Sequence, residues 1–250
     1  MGVLDWFKQR RQGDLQNAMF EQNNNQSGPP ASETRPMHHV RKLLIRGAMN
    51  VVFHRGKEPQ LKIDCENQGD LHKIITRFRD NTLVVEMPET NITITSNSGN
   101  RSSSVVIQGA NYGVIMNGKQ LGPSISILGN TVVHITLPTI REVASEGAVN
   151  VRLSDLMQAD INIFAAGSGT ITAHGNVQSV NIDVTGYGSV DASGLIAEVG
   201  TLRVCGSGEI EAFIRQSLTA RISGAGDIVI GGNPNQRDTR IEGSGEVRYR

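Results

Sequence analysis

Aromatic residues make up only 4% of this 250-residue chain: one tryptophan, three tyrosines and six phenylalanines. This scarcity, beside 28 glycines, suits thin-cored, turn-rich β structure better than helical packing. Cysteine is nearly absent too. Cys65 and Cys205 stand far apart with no CxxC spacing, which leaves neither a zinc site nor a redox motif and reads as two reduced packing residues. Neither sign of charge is in surplus, with 24 Lys plus Arg against 24 Asp plus Glu, so the electrostatic footprint of a nucleic-acid binder is missing. No apolar run approaches the roughly 18 residues that would cross a bilayer. Met1-Gly2-Val3-Leu4-Asp5-Trp6-Phe7-Lys8 carries an acid and no long apolar stretch, unlike a secretory signal, and the expected location is the cytoplasm.

What the chain has instead is glycine in a pattern. A Gly-x-Gly turn recurs five times in the C-terminal third, as Gly167-Ser168-Gly169, Gly186-Tyr187-Gly188, Gly206-Ser207-Gly208, Gly224-Ala225-Gly226 and Gly243-Ser244-Gly245. The steps between first glycines are 19, 20, 18 and 19 residues (186−167, 206−186, 224−206, 243−224). A period that short is one supersecondary unit repeated. Two places before each first glycine stand Ala165, Val184, Val204, Ile222 and Ile241, and four places before stand Ile163, Ile182, Leu202, Ala220 and Thr239. This alternation describes strands with one face in and one out. The second residue after each second glycine is Ile171, Val190, Ile210, Ile228 or Val247, so an inward strand resumes at once. Each unit is thus strand, glycine corner, strand and a looser return through His174-Gly175, Ser193-Gly194 or Gly231-Gly232. Units of this length stack as coils of an all-β, parallel β-helix, like positions lying about 4.8 Å apart along the axis.

The repeated Gly-Ser-Gly-acidic-Ile/Val signature, with Asp191-Ala192-Ser193-Gly194-Leu195 and Ile222-Ser223-Gly224-Ala225-Gly226-Asp227-Ile228, resembles the auto-transporter adhesin head GIN domain of bacteria. The resemblance extends upstream to about Val40, through Gly47-Ala48-Met49-Asn50-Val51-Val52 and Asn81-Thr82-Leu83-Val84-Val85. It implies a right-handed parallel β-helix, no catalytic residues and a role in adhesion. Members of that family usually look exported, and in this the N-terminus of the chain departs from them.

Four regions follow. Residues 1–34 divide into a segment able to form a helix over 2–21 and a linker over 21–33 containing Pro29-Pro30. Trp6 and Phe7, beside Lys8, Arg10 and Arg11, could touch a membrane surface; the plainer expectation is a tail or a helix packed on another subunit. Residues 35–90 form a first, irregular coil stack: short strands over 50–54 and 60–65, a helical turn or two around Leu71, Ile74 and Ile75, and a hairpin about Asp80-Asn81. His38-His39 sit at a solvated start of that stack, since neighbours on a strand point opposite ways and cannot chelate together. Residues 91–130 form a Ser/Gly/Asn-rich insertion with β patches over 105–108, 113–117 and 124–128 and a hairpin turn at Asn117-Gly118, the first place to look for a partner surface. Residues 131–250 form the regular stack. The recurrence of Gly47-Ala48-Met49-Asn50-Val51 as Gly147-Ala148-Val149-Asn150-Val151 marks the two stacks as one kind.

Chemistry is thin along this chain, and we expect no enzyme activity, no catalytic or metal-ligating residues and no cofactor. One place before the second inward residue, Glu209, Asp227 and Glu246 stack as an acidic ladder. Closely spaced carboxylates are what a retaining glycosidase uses, so a carbohydrate-active enzyme is the third alternative. Arg203, Arg221 and Arg240, three places before the first glycine, are expected to face that ladder across the corner and hold it ionised. Calcium would need six to eight oxygens, which no turn supplies densely. His174 has no base or nucleophile beside it and reads as a turn residue. Tyr187, inside a corner, is expected to be an exposed contact. The expected function is a non-enzymatic binding or scaffold module that meets a protein or polysaccharide ligand or another copy of itself and does not bind nucleic acid. The runner-up is a cytoplasmic scaffold polymerising through unpaired strand edges at its coil ends.

Overall fold

The inward aliphatic and outward polar residues become two broad sheet faces that meet at a glycine corner. The computed structural model describes residues 29–66, 68–87 and 131–250 with their side chains, and the backbone of four strands between them. The expected N-terminal helix with Trp6 and Phe7, and the β patch over 124–128, lie outside the described residues.

In chain order the elements are β1 (Ala31–Arg35), β2 (Lys42–Gly47), β3 (Asn50–Arg55), β4 (Gln60–Cys65), α1 (Gln68–Leu71), β5 (Ile75–Arg79) and β6 (Thr82–Glu86). The insertion holds β7 (Asn91–Ser98), β8 (Arg101–Gln108), β9 (Ile115–Met116) and β10 (Lys119–Gln120). Then come β11 (Val132–Leu137), β12 (Glu142–Gly147), β13 (Asn150–Gly167), β14 (Thr170–Gly186), β15 (Ser189–Gly206), β16 (Glu209–Gly224), β17 (Asp227–Gly231), β18 (Gln236–Gly243) and β19 (Glu246–Tyr249). The long strands bend between faces: the first half of β13 belongs to the face after one corner and its second half to the face before the next. We call the face before each corner the A face and the one after it the B face.

Seven corner glycines stack in register, Gly47, Gly147, Gly167, Gly186, Gly206, Gly224 and Gly243. The first two have no second glycine; Met49 and Val149 fill that place and are buried. What was expected as two stacks is therefore one parallel β-solenoid. Residues 42–47 lie against 142–147 on the A face, and 50–54 lie against 150–154 on the B face. The corner is stitched along the axis: the N–H of Ala148, Ser168, Tyr187, Ser207, Ala225 and Ser244 each donates to the glycine carbonyl one rung before, at 2.8–3.0 Å.

The two glycines of a corner are needed for different reasons. Gly206 has φ +120°, which L side chains avoid, and a Cβ there would lie 2.7 Å from the Gly186 carbonyl oxygen. Gly208 needs no positive φ, but its Cβ would meet the Gly188 oxygen at 2.5 Å. The core inside is almost wholly aliphatic, with Leu43, Ile45, Val143, Ile163, Ile182, Leu202, Ala220, Val151, Ile171, Val190, Ile210 and Ile228 all buried. Each buried Leu, Ile or Val of this kind contributes roughly 1.5–3 kcal/mol.

The N-terminal end departs from the repeat. β6 lies parallel on β2, and β5 pairs antiparallel with β6 through Asp80 and Asn81, whose φ values of 46° and 66° make the expected tight turn. β11 lies parallel on β3, β4 runs antiparallel to β11, and β1 antiparallel to β4. β1 corrects the sequence reading: residues 31–33 are paired strand, not linker. α1 and the turn after it bring Leu71 and Ile74 down as buried residues. Ile75 instead begins β5 and is exposed. Arg35 ties this end together, donating to the carbonyls of Ile74 at 2.7 Å and Leu71 at 3.1 Å and to the Thr76 hydroxyl at 3.2 Å. His38 packs edge-on against Phe78, with ring centroids 5.1 Å apart.

In the insertion, β9 and β10 pair antiparallel about Asn117-Gly118 as expected. The 105–108 patch is the end of β8, which pairs antiparallel with β7, a strand the polar sequence Asn91-Ile92-Thr93-Ile94-Thr95-Ser96 did not announce. Among the described residues no helix is long and apolar enough to cross a membrane.

Candidate functional site

With the interior filled by aliphatic side chains, anything this protein recognises must meet its outward rows. Because strands are in register, residues at one distance from the corner glycine form a row along the axis, spaced about 4.8 Å apart. Near the N-terminal end of the A face, charges in these rows alternate in sign. Arg46 pairs with Glu146 at 2.7 Å and with Glu86 at 3.1 Å, Lys42 pairs with Glu142 at 2.8 Å, and Arg77 joins Glu86 at 3.3 Å. The hydrogen bonds to Glu146 and then Glu86 raise the Arg46 pKa further above its ordinary value.

Toward the C-terminal end the same face stops alternating. Arg203, Arg221 and Arg240 are register partners on β15, β16 and β18, three guanidinium-bearing residues in one row. In water neighbours at that spacing repel by about 1 kcal/mol. Together with Ser223 and Glu242 they line a cleft of about 270 Å³. Arg221 is the fixed member, donating to the Ala220 carbonyl at 3.1 Å, the Asp238 carbonyl at 3.0 Å and the Asp238 carboxylate. That contact raises the Arg221 pKa and lowers that of Asp238. Arg240 meets Glu242 at 2.7 Å. Arg203 has no hydrogen-bonding or ionic partner among the described residues. Thr201, Thr219 and Asp238 form the outward row on one side of the arginines, and Cys205, Ser223 and Glu242 the row on the other.

The acids lie elsewhere. Glu209, Asp227 and Glu246 do stack in register, as expected, but on the B face. The expected pairing of arginine and acid ladders across the corner does not occur. Asp227 is met by Arg248 at 2.9 Å, Glu246 by the same arginine at 3.8 Å, and Glu211 by Arg250 at 2.7 Å, all from the B face. The reason is geometric: outward directions diverge at the corner, so side chains reach neighbours on their own sheet. The sequence therefore revealed the arginine row but misassigned its role, and it passed over the flanking Thr201, Thr219 and Ser223. The five- and one-residue offsets from the corner glycine were the available signal.

The other residues singled out from sequence are dispersed. Tyr187 is 80% exposed, the one large side chain in a corner ridge otherwise made of Ala48, Ala148, Ser168, Ser207, Ala225 and Ser244. His174 has its ring over Gly194, where a Cβ would strike Nδ1, so it serves the return bend. Both cysteines are free thiols: Cys65 is buried and accepts from the Thr131 hydroxyl at 3.6 Å, while Cys205 is half-buried on the A face. Burial pushes the Cys65 thiol up. Among the described residues no three His, Cys, Asp or Glu side chains gather as a metal site would need.

Comparison with known proteins agrees with this architecture. The profile of the family described as "Putative auto-transporter adhesin, head GIN domain" matches residues 40–234. Among solved structures, one described as a "putative adhesin" from Bacteroides fragilis superposes with TM-score 0.60 at 16% identity, covering 88% of this chain and 97% of that one. Another described in the same words, from Parabacteroides distasonis, gives TM-score 0.47 at 14% identity, covering 89% and 98%. No curated protein matches the sequence. A family profile that spans the solenoid from the strand before its first corner to the bend between β17 and β18 places this chain in the adhesin head GIN domain family.

Proposed function

We propose that this chain is a non-enzymatic recognition module that binds a protein or glycan through its outward rows. The observation that carries this reading is the division of labour between inside and outside. The interior is filled by aliphatic side chains, while the exterior presents equivalent side chains at a fixed repeat on a rigid frame. The family description, which names an adhesin head, supports the same reading. Binding of the labelled full chain to a glycan array and to fixed cells tests it, alongside an assay for release of reducing ends from the same glycans. Retention without release is expected. Sugar release that Glu209→Gln abolishes would overturn it in favour of the carbohydrate-active enzyme.

One feature favours a second reading, a scaffold that assembles through its ends. The outer edges of β18 and β19 pair with nothing among the described residues, and Ile241 is 42% exposed there. Sedimentation velocity over a range of concentrations separates the two, since a scaffold grows with concentration and a monomeric binding module does not.

A further inference from the structure

Resting on the recognition-module reading, we propose that Arg203, Arg221 and Arg240, flanked by Thr201, Thr219 and Ser223, form a track on the A face for an extended acidic polysaccharide. The track lies along the solenoid axis, so carboxylates carried at intervals by a linear glycan meet guanidinium groups repeating with the rungs.

Four observations converge on it. The first is the break in charge pattern on one and the same face. Between β6 and β12 base and acid alternate from rung to rung, Glu86–Arg46–Glu146 and Lys42–Glu142, whereas beyond Asp183 on β14 three arginines follow one another from β15 to β18. A surface serving only solubility and rung pairing has no use for such a run, since like charges in register oppose stacking. The second is availability. Arg203 is exposed and without a partner among the described residues, Arg240 is held only by exposed Glu242, and Arg221 is oriented by backbone carbonyls and Asp238. One guanidinium is thus fixed, that of Arg203 is free, and that of Arg240 can exchange its exposed acid, to form the forked, two-bond contact that arginine makes with a carboxylate.

The third observation is the company the arginines keep. Hydroxyls of Thr201 and Thr219 on one side and Ser223 on the other can exchange hydrogen bonds with sugar hydroxyls, as donor or acceptor. The row offers no ladder of aromatic rings on which nucleic-acid bases would stack, and the chain carries no net positive charge. The fourth is shape. The cleft of about 270 Å³ is lined by residues of three successive rungs, on β15, β16 and β18, suiting a polymer that lies across them.

The test uses the full chain and isothermal titration with polygalacturonate, with neutral dextran, dextran sulfate, inorganic phosphate and single-stranded DNA as further probes. Polygalacturonate should bind, weaken with added salt, and lose at least tenfold in affinity in the Arg203→Ala/Arg240→Ala chain. Glu211→Gln on the B face should leave it unchanged. Tighter binding of dextran sulfate with the same loss in the double variant keeps the track and identifies sulfate as the preferred anion. Phosphate binding that competes with polygalacturonate likewise keeps the track. Equal binding of dextran, preference for DNA, or a double variant that binds polygalacturonate like the parent overturns the proposal. If the double variant unfolds, Arg203→Ala alone decides, with at least a threefold loss expected because that side chain supports no other residue. Binding to cells that survives the double variant removes the arginine track and leaves the recognition reading standing; a chain that binds no glycan, protein or cell removes both.

Discussion

The two ends of the solenoid meet the same difficulty in opposite ways. A stack of identical rungs presents an apolar cross-section wherever it stops. At the N-terminal end that cross-section is covered: Leu71 and Ile74 descend from α1 and the following turn, strands β1, β4 and β5 run against the prevailing direction, and Arg35 binds the pieces through two carbonyls and a hydroxyl. At the C-terminal end no further element among the described residues is laid on β18 and β19. The inward positions of the last rung change character instead: Arg237 stands where other rungs have Ile161, Val180 or Leu218, and Thr239 where they have Ile163, Ile182 or Leu202. Arg237 lies over the Tyr249 ring, 4.2 Å from its centroid, and the Thr239 and Tyr249 hydroxyls are 3.2 Å apart. One end hides its apolar surface and the other dilutes it. An inward-pointing charge at an exposed edge is a known device against edge-to-edge association.

This contrast can be broken deliberately. The largest effect is expected at the covered end, where Ile74→Ala should lower unfolding free energy by about 2–4 kcal/mol in urea, against less than about 1 kcal/mol for Ile241→Ala in the last rung. Arg35→Ala should cost about 1–3 kcal/mol, because it removes a donor from the partly buried carbonyls of Leu71 and Ile74, and should speed hydrogen exchange in β1 before the regular rungs are touched. Arg237→Leu should change stability little yet restore a continuous apolar end, so sedimentation velocity should reveal more self-association than in the parent; a variant that associates no more than the parent would show that the arginine does not guard the edge. Tyr249→Ala should cost less than about 1 kcal/mol and confine faster exchange to β18 and β19.

Acid gives the smallest and most even effect. Asp64, between Ser32 and Lys62 at the covered end, is held below the usual carboxylate range by the Ser32 hydroxyl and then by Lys62; Asp238, at the open end, is lowered by Arg221. A depressed folded pKa contributes stability that is present above the unfolded value near 3.8 and is lost as pH falls through the folded one. Both ends should therefore loosen together below about pH 4, and Asp64→Asn should remove that acid response from the β1–β4 edge alone, as read by exchange at pH 3 and pH 6.

The regular rungs were legible because two periods coincide in them, alternation along the strand and a corner glycine about every 19 residues. The hairpin at Asp80-Asn81 was equally plain, since two successive positive φ values demand such residues. The covered end was not legible as a cover. Ala31-Ser32-Glu33-Thr34-Arg35 has no apolar alternation, and only its partner Gln60–Cys65 makes it a strand. The arginine row was visible as a spacing, but its surroundings depend on which way side chains diverge at the corner, a tertiary fact. The shared Gly-Ala-x-Asn-Val of residues 47–51 and 147–151 signalled kinship, while their direct contact depends on where the intervening chain goes.

That contact bears on how the protein is made. β3 is synthesised early, yet the strands that flank it on the stack, β11 and β13, follow about 80 and 100 residues later, and β2, which meets β6 sooner, waits about as long for β12. A nascent chain thus carries β3 without either neighbour, and β2 with β6 alone, through the synthesis of β7 to β10, and completing the pairing means closing a large loop at an entropic cost that grows only slowly with its length. The successive rungs from β13 to β17, by contrast, can zip one upon the next as each emerges from the ribosome. The first part of the solenoid to be translated is therefore expected to be the last to be secured.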